Sequence, residues 1–190
     1  MILQTVLGLA AGYLVGAAPV PAPVMARVPD PRRADLLVAA VDVIRGIVAV
    51  FLGAAIAGLD ATVDARLGVA AGTLAASVAG RAWPFYKSSV AGNGGAVLAG
   101  GYLLLFPPGA LYAGLFGLGA LGIFRRWTPA VAVMAISIPV VHVLLHARVG
   151  ALILVQPVVI AALGGAAIVV IVKLWPRIVA AVRGQERRLF

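Results

Sequence analysis

The residues best suited to chemistry form one run, Gly80-Arg81-Ala82-Trp83-Pro84-Phe85-Tyr86-Lys87-Ser88-Ser89-Val90-Ala91-Gly92-Asn93-Gly94-Gly95. Glycines in such a run let backbone N–H groups close on an anion. Arg81, Lys87, Ser88, Asn93, Gly94 and Gly95 are therefore candidate ligands for a phosphate or a lipid head group, and Arg126 is a further cation for the same anion. A plainer reading stands beside this one. Short polar residues also build turns that bind nothing, and Trp83-Pro84-Phe85-Tyr86 has the composition of an interfacial aromatic belt.

Two other constellations carry ionisable groups. Asp42 and Arg45 lie three apart, on one face of an apolar segment. Charges in such a segment pair with one another and often mark function. They read as an intramembrane ion pair, structural or functional. His142 and His146 share a helical face at a spacing that suits a metal, but no carboxylate lies near them in sequence. Packing or head-group contact is the expected role, and no metal site or cofactor is expected. The chain has no cysteine, so disulfides and thiolate chemistry are excluded.

The elements that must position these residues are membrane spans. The chain has 190 residues, 63% of them hydrophobic and 11% charged, and its mean hydropathy is +1.11. A soluble domain carries about 25% charged residues. We expect one all-α integral membrane domain over residues 1–190. Seven spans are predicted: Ile2–Val20, Leu36–Leu59, Leu67–Ala79, Gly94–Phe106, Gly109–Phe124, Pro129–Leu145 and Gly150–Val172. The third and fourth are short, so six is the alternative count. The first segment reads as a span and not a signal peptide. Pro107-Pro108-Gly109 reads as an outside turn, Asp60, Asp64 and Arg66 as a solvated outer loop, and residues 173–190 as a basic tail along the cytoplasmic surface.

Charge sets the expected orientation. With the N-terminus outside, the inner segments hold Arg27, Arg32, Arg33, Arg81, Lys87, Arg125, Arg126, Lys173, Arg177, Arg183, Arg187 and Arg188, whereas the outer loops hold only Arg66 and Arg148. That is a strong positive-inside bias. It accounts for the net charge of +9 without nucleic acid, and it puts the C-terminus and the glycine-rich run on the cytoplasmic side.

Taken in order, several motifs resemble the bacterial acyl-phosphate:glycerol-3-phosphate acyltransferase (PlsY) family of small seven-span proteins. Gly16-Ala17-Ala18-Pro19 is similar to the glycine-small-x-proline step that ends that family's first span. Asp42-Val43-Ile44-Arg45-Gly46 resembles its Asp-x-x-Lys-Gly step. Gly80-Arg81-Ala82-Trp83-Pro84-Phe85-Tyr86 and Asn93-Gly94-Gly95-Ala96 stand where the family carries Gly-His-x-Phe-Pro-x-Phe and Gly-Gly-Lys-Gly. Arg126-Trp127 and Gly184-Gln185-Glu186-Arg187 are also similar. The resemblance implies a bacterial plasma-membrane protein that meets membrane lipids and an acyl donor such as acyl phosphate.

The departures fall on the family's functional positions. Residues Pro21–Ala34 lack its Ser-Gly-Asn-x-Gly-Ala-Thr-Asn loop. Arg81 replaces its histidine, Gly95-Ala96 its lysine, and its terminal His and Asn have no counterpart around Lys173–Ile178. The resemblance thus implies a divergent member of lipid metabolism, impaired in catalysis, serving as a subunit or lipid-binding component of a membrane complex beside a partner protein. One alternative is an active acyltransferase for glycerol-3-phosphate or another polar acceptor. Another is a transporter subunit built on Asp42 and Arg45.

Overall fold

In the computed structural model, residues 2–19, 31–85, 92–149 and 156–183 are described. They form seven helices: α1 Ile2–Ala17, α2 Pro31–Ala57, α3 Val63–Ala82, α4 Gly95–Leu105, α5 Pro107–Phe124, α6 Trp127–Val149 and α7 Pro157–Val182. Four helical stretches, Arg33–Ala57, Pro107–Phe124, Trp127–Leu145 and Pro157–Ala181, are long and apolar enough to cross a bilayer, and α1 and α4 are shorter apolar helices. Leucine, isoleucine and phenylalanine side chains such as Phe51, Leu115, Phe116, Ile123, Leu144 and Ile168 point outward. Apolar residues both inside and out are what a lipid solvent permits.

Small residues set the packing. Gly12 and Gly16 of α1 lie so close to α3 that a Cβ on either would overlap the carbonyl of Thr73 or Ser77, and a Cβ on Gly80 would overlap that of Tyr13. The same holds between α2 and α4, where Gly46 meets the Val97 carbonyl and Gly100 meets that of Val43. With no hydrophobic drive between helices in lipid, close approach of this kind supplies the packing energy. Leu74, Val78, Leu98, Tyr102, Ile138, Leu163 and Leu174 fill the centre.

Several boundaries differ from the sequence expectation. Helix α3 runs from Val63 to Ala82, longer at both ends than Leu67–Ala79, because its charges have partners. Thr62 caps it, the Thr62 hydroxyl accepting from the Ala65 N–H at 3.2 Å. Arg66 is no loop residue: its guanidinium donates to the carbonyls of Gly58 and Leu59 past the end of α2. Asp64 accepts from the Gln156 amide at 2.5 Å. Gly80, Arg81 and Ala82 are the last turn of α3 and not loop. Pro107 and Pro108 open α5 instead of forming a turn, Phe106 alone separating it from α4. Proline is well placed at the first helical positions, where its missing N–H would have no partner anyway. Helix α7 starts at Pro157 and continues past Val172 through Pro176 to Val182, so Lys173 and Arg177 belong to it. An interior proline removes one backbone bond, which neighbouring helices make tolerable.

His142 is 7% exposed. Its ring packs edge-on against Phe106 at 5.5 Å and Tyr102 at 6.0 Å between centroids. It packs beside the end of the short α4. Among the described residues, no group of three potential metal ligands occurs.

One ionic cluster joins three helices. The Asp42 carboxylate accepts from Arg45 Nη1 at 2.7 Å and, through its second oxygen, from Arg81 Nε at 2.8 Å. Arg45 Nη2 donates to the Ala18 carbonyl, just past α1, at 2.5 Å. The expected Asp42–Arg45 pair is thus one half of a triad, with Arg81 as its third member.

Two stability predictions follow from this packing. Gly16→Ala should destabilise by about 1–3 kcal/mol, the range for overpacking, whereas Gly119→Ala, with nothing within 4 Å, should leave the melting midpoint in detergent unchanged. Asp42→Asn should cost about 3–5 kcal/mol, the penalty of leaving a buried charge unpaired. The double variant Asp42→Asn/Arg81→Gln should recover part of that loss in the same melting assay, since one uncompensated cation has gone.

Candidate functional site

The helix ends that meet at the triad also enclose a groove of about 700 Å³. Its walls are the first half of α2, the end of α3, the start of α4, the start of α6 and the last turns of α7. Asp35 and Asp42 line it from α2 and Arg81 from α3. Gly92 and Asn93 line it from the segment before α4, and Lys173 and Arg177 from α7. Seven residues separate the two aspartates, so they share a face about 10 Å apart along the axis. Lys173 and Arg177 are four apart and share a face likewise. Farther along α6, Val131 and Met134 continue the lining as an apolar surface.

Each polar group is held by its own neighbours. Arg81 is 5% exposed, fixed to Asp42 on one side and covered on the other by Gly92, where a Cβ would meet the guanidinium. The Asn93 side-chain oxygen accepts from the Gly95 N–H at 2.8 Å. That bond shapes the turn into α4. Gly94 sits there in the left-handed region at φ 77°, and a side chain would strain it. Lys173 Nζ lies 5.9 Å from the centre of the Trp83 ring, a cation–π contact. The Tyr13 hydroxyl donates to the Trp83 carbonyl at 2.6 Å. Trp83, expected as a belt residue, thus also steadies a groove cation.

The residues singled out in the sequence separate in space. Arg81 and Asn93 reach the groove, joined by Asp42. Gly94 and Gly95 stand behind Asn93, packed against Val78 and Val131. Arg126 does not line the groove. Its guanidinium donates to the Ala181 carbonyl and ties the start of α6 to the end of α7. Lys87 and Ser88 lie outside the described residues. Sequence reasoning missed Asp35, Lys173, Arg177 and Trp127 as groove residues. The expected spans, Leu36–Leu59 and Gly150–Val172, stop just short of Asp35, Lys173 and Arg177, so the seven-residue and four-residue spacings do not register as shared helix faces.

This arrangement suits an anion. The triad carries two cations on one carboxylate, and Lys173 and Arg177 add positive charge nearby. Guanidinium and ammonium groups are the usual phosphate partners.

Comparison with known proteins bears on the fold and the family. The model of the glycerol-3-phosphate acyltransferase family matches residues 25–184. Among curated proteins, glycerol-3-phosphate acyltransferase 3 of Dehalococcoides mccartyi strain 195 is 35% identical over 125 residues, covering 59% of this chain and 56% of that protein. The protein of the same name from strain CBDB1 is 38% identical over 104 residues, 48% of each. The chain thus spans about half the length of the curated relatives it matches. Among solved structures, PlsY, described as an integral membrane glycerol 3-phosphate acyltransferase, superposes in its lysophosphatidic acid form with a TM-score of 0.73 at 20% identity, covering 97% of this chain and 94% of that one. Its glycerol 3-phosphate form gives 0.71 at 19%, covering 98% and 94%. At that identity the likeness is one of fold, and the family match carries the assignment. The chain belongs to the glycerol-3-phosphate acyltransferase family, as a multi-pass protein of the bacterial plasma membrane.

Proposed function

We propose that the groove binds a phosphate-bearing ligand of phospholipid metabolism at the cytoplasmic face, and that acyl transfer there is impaired. The orientation rests on the basic residues gathered at the groove end, with all seven helices crossing and the N-terminus outside. The observation that carries the reading is Arg81. It stands where the resemblance places a histidine, and it is buried against Asp42. Transfer from an acyl phosphate needs a group to take the acceptor's proton and a preorganised set of donors for the developing charge. Both oxygens of Asp42 are already engaged by arginines, which leaves it ill placed to take the acceptor's proton. Arg81 cannot take up a proton at all. Binding survives such losses more readily than turnover, because a phosphate needs positive charge and little exact geometry.

Service in a membrane complex, beside a partner protein, is the companion part of this reading and rests on the same departures. One observation favours an active enzyme with a changed acceptor instead. Asp35 is a second groove carboxylate, exposed and away from the triad, where it can meet a ligand. The transport reading is not carried further, because Asp42 and Arg45, which suggested it, are taken up in the triad.

The test is a transfer assay on purified protein with palmitoyl phosphate and radiolabelled glycerol-3-phosphate. We expect lysophosphatidic acid to form about a hundredfold or more slowly than with an active relative run in parallel, the scale of a missing general base. Turnover at the relative's rate would leave the active reading standing. Binding of the labelled glycerol-3-phosphate should persist, and Lys173→Ala and Arg177→Ala should each weaken it about tenfold, the low end for a charge-assisted contact.

A further inference from the structure

The groove is not uniformly basic, and its one exposed carboxylate stands apart from two of its cations. Asp35 lies near the start of α2, whereas Lys173 and Arg177 lie on α7. Helices α3 and α4 each pack against both α2 and α7 and so stand between them. Among the described residues, no ion pair within 4.0 Å joins Asp35 to Lys173 or Arg177; the described pairs are those of the triad. Unlike charges that share a groove on separate walls keep their fields available to a ligand. Asp35 would repel a ligand that is only anionic. A ligand with a phosphate at one end and a cation at the other fits both walls.

The geometry points to a phosphate ester of an amino alcohol as the polar ligand of this groove, its phosphate against Lys173 and Arg177 and its ammonium group against Asp35. The inference rests on the groove binding phosphate, as proposed above, and adds a substrate class and a specificity residue. The cavity of about 700 Å³ is within the range of small-molecule sites and has room for such a head group. The apolar lining from Val131 and Met134 leaves space for an attached chain, so the same chemistry could arrive free or on a lipid. Glycerol phosphate offers hydroxyls where this ligand offers an ammonium group, and a carboxylate discriminates strongly between those two.

Titration calorimetry on the full chain in a maltoside detergent free of added phospholipid tests this, with O-phosphoethanolamine and glycerol-3-phosphate as probes at pH 7, where the amine is protonated. O-Phosphoethanolamine should bind the native chain about five- to tenfold more tightly than glycerol-3-phosphate, on the scale of one charge pair. Asp35→Asn should abolish that preference by weakening the amine probe alone. Lys173→Ala should weaken both probes together. The change at the exposed Asp35 touches no ion pair of the triad, and a melting curve checks that the variant is folded. Both probes binding with a ratio near one, or a preference that Asp35→Asn leaves intact, would overturn the specificity assignment while leaving phosphate binding in place. Binding of neither probe would overturn both readings. A third arm uses lysophosphatidylethanolamine at a few mole per cent in the detergent. Tighter binding there than for O-phosphoethanolamine identifies the lipid as the source of the head group, and weaker binding identifies the free ester; either supports the assignment if Asp35→Asn weakens it.

Discussion

A single carboxylate shared by two arginines holds the functional end of this protein together. Asp42 uses one oxygen for Arg45 on its own helix and the other for Arg81 on α3, and Arg45 reaches on to the carbonyl that follows α1. Burying three charges costs heavily unless each is paired and hydrogen-bonded. Here the two guanidiniums satisfy both carboxylate oxygens. The three helix ends cannot part without leaving a charge alone in a low-dielectric setting. The cluster keeps a formal excess of one positive charge, so the groove floor stays cationic although its arginine is paired. Fixing the fold and keeping positive charge at the groove are, in this cluster, one electrostatic arrangement.

Such short bonds require helices that approach closely, and the small residues make that possible. Arg81 meets Asp42 because α2 and α3 both pack through residues without bulk: Gly53 lies against Ala70 and Thr73, and Gly80 lets α1 in beside the turn that carries Arg81. The reciprocal contact of Gly46 with Val97 and Gly100 with Val43 draws α4 onto α2, which brings Asn93 to the groove. A Cβ at these positions would push the helices apart by more than an ion pair tolerates, because hydrogen bonds weaken steeply beyond their normal length. The glycines that look in sequence like a phosphate cradle are therefore divided in use. Gly80 serves packing, Gly92 makes room for a guanidinium, and Gly94 turns the chain into α4.

Most of the helical framework was legible because lipid imposes long apolar segments, and composition alone reports them. The boundaries were less so. Hydropathy treats a charged residue as the end of a span, yet Arg66, Arg81, Lys173 and Arg177 all lie inside helices. The partners of the first three are tertiary: two carbonyls past α2, the Asp42 carboxylate and an indole ring. The site was legible by half for the same reason. Asp42, Arg81 and Asn93 stood out as polar residues in apolar surroundings. Asp35 and Arg177 sit among other charged residues near segment ends, where a solvated face is the ordinary explanation. Only the convergence of α2 and α7 on one cavity distinguishes them. Arg126 shows the converse, since its type and position suggested a phosphate ligand but the nearest acceptor is the Ala181 carbonyl.

That division bears on how a family fold changes its use. Binding a phosphate asks for net positive charge and a few donors. Moving an acyl group asks for a base, a relay and donors placed to a fraction of an ångström. The first requirement is met by residues on several helices, so replacing one leaves most of the field in place. The second is met at single positions, and an arginine in place of a histidine at one of them raises the positive charge. Such a substitution would be unfavourable beside other unpaired cations. In this protein Asp42 pairs with the arginine, and both its oxygens are thereby engaged. The same carboxylate that makes Arg81 acceptable in the bundle thus has both oxygens committed to arginines, whereas Asp35 stands exposed at the groove and outside the triad.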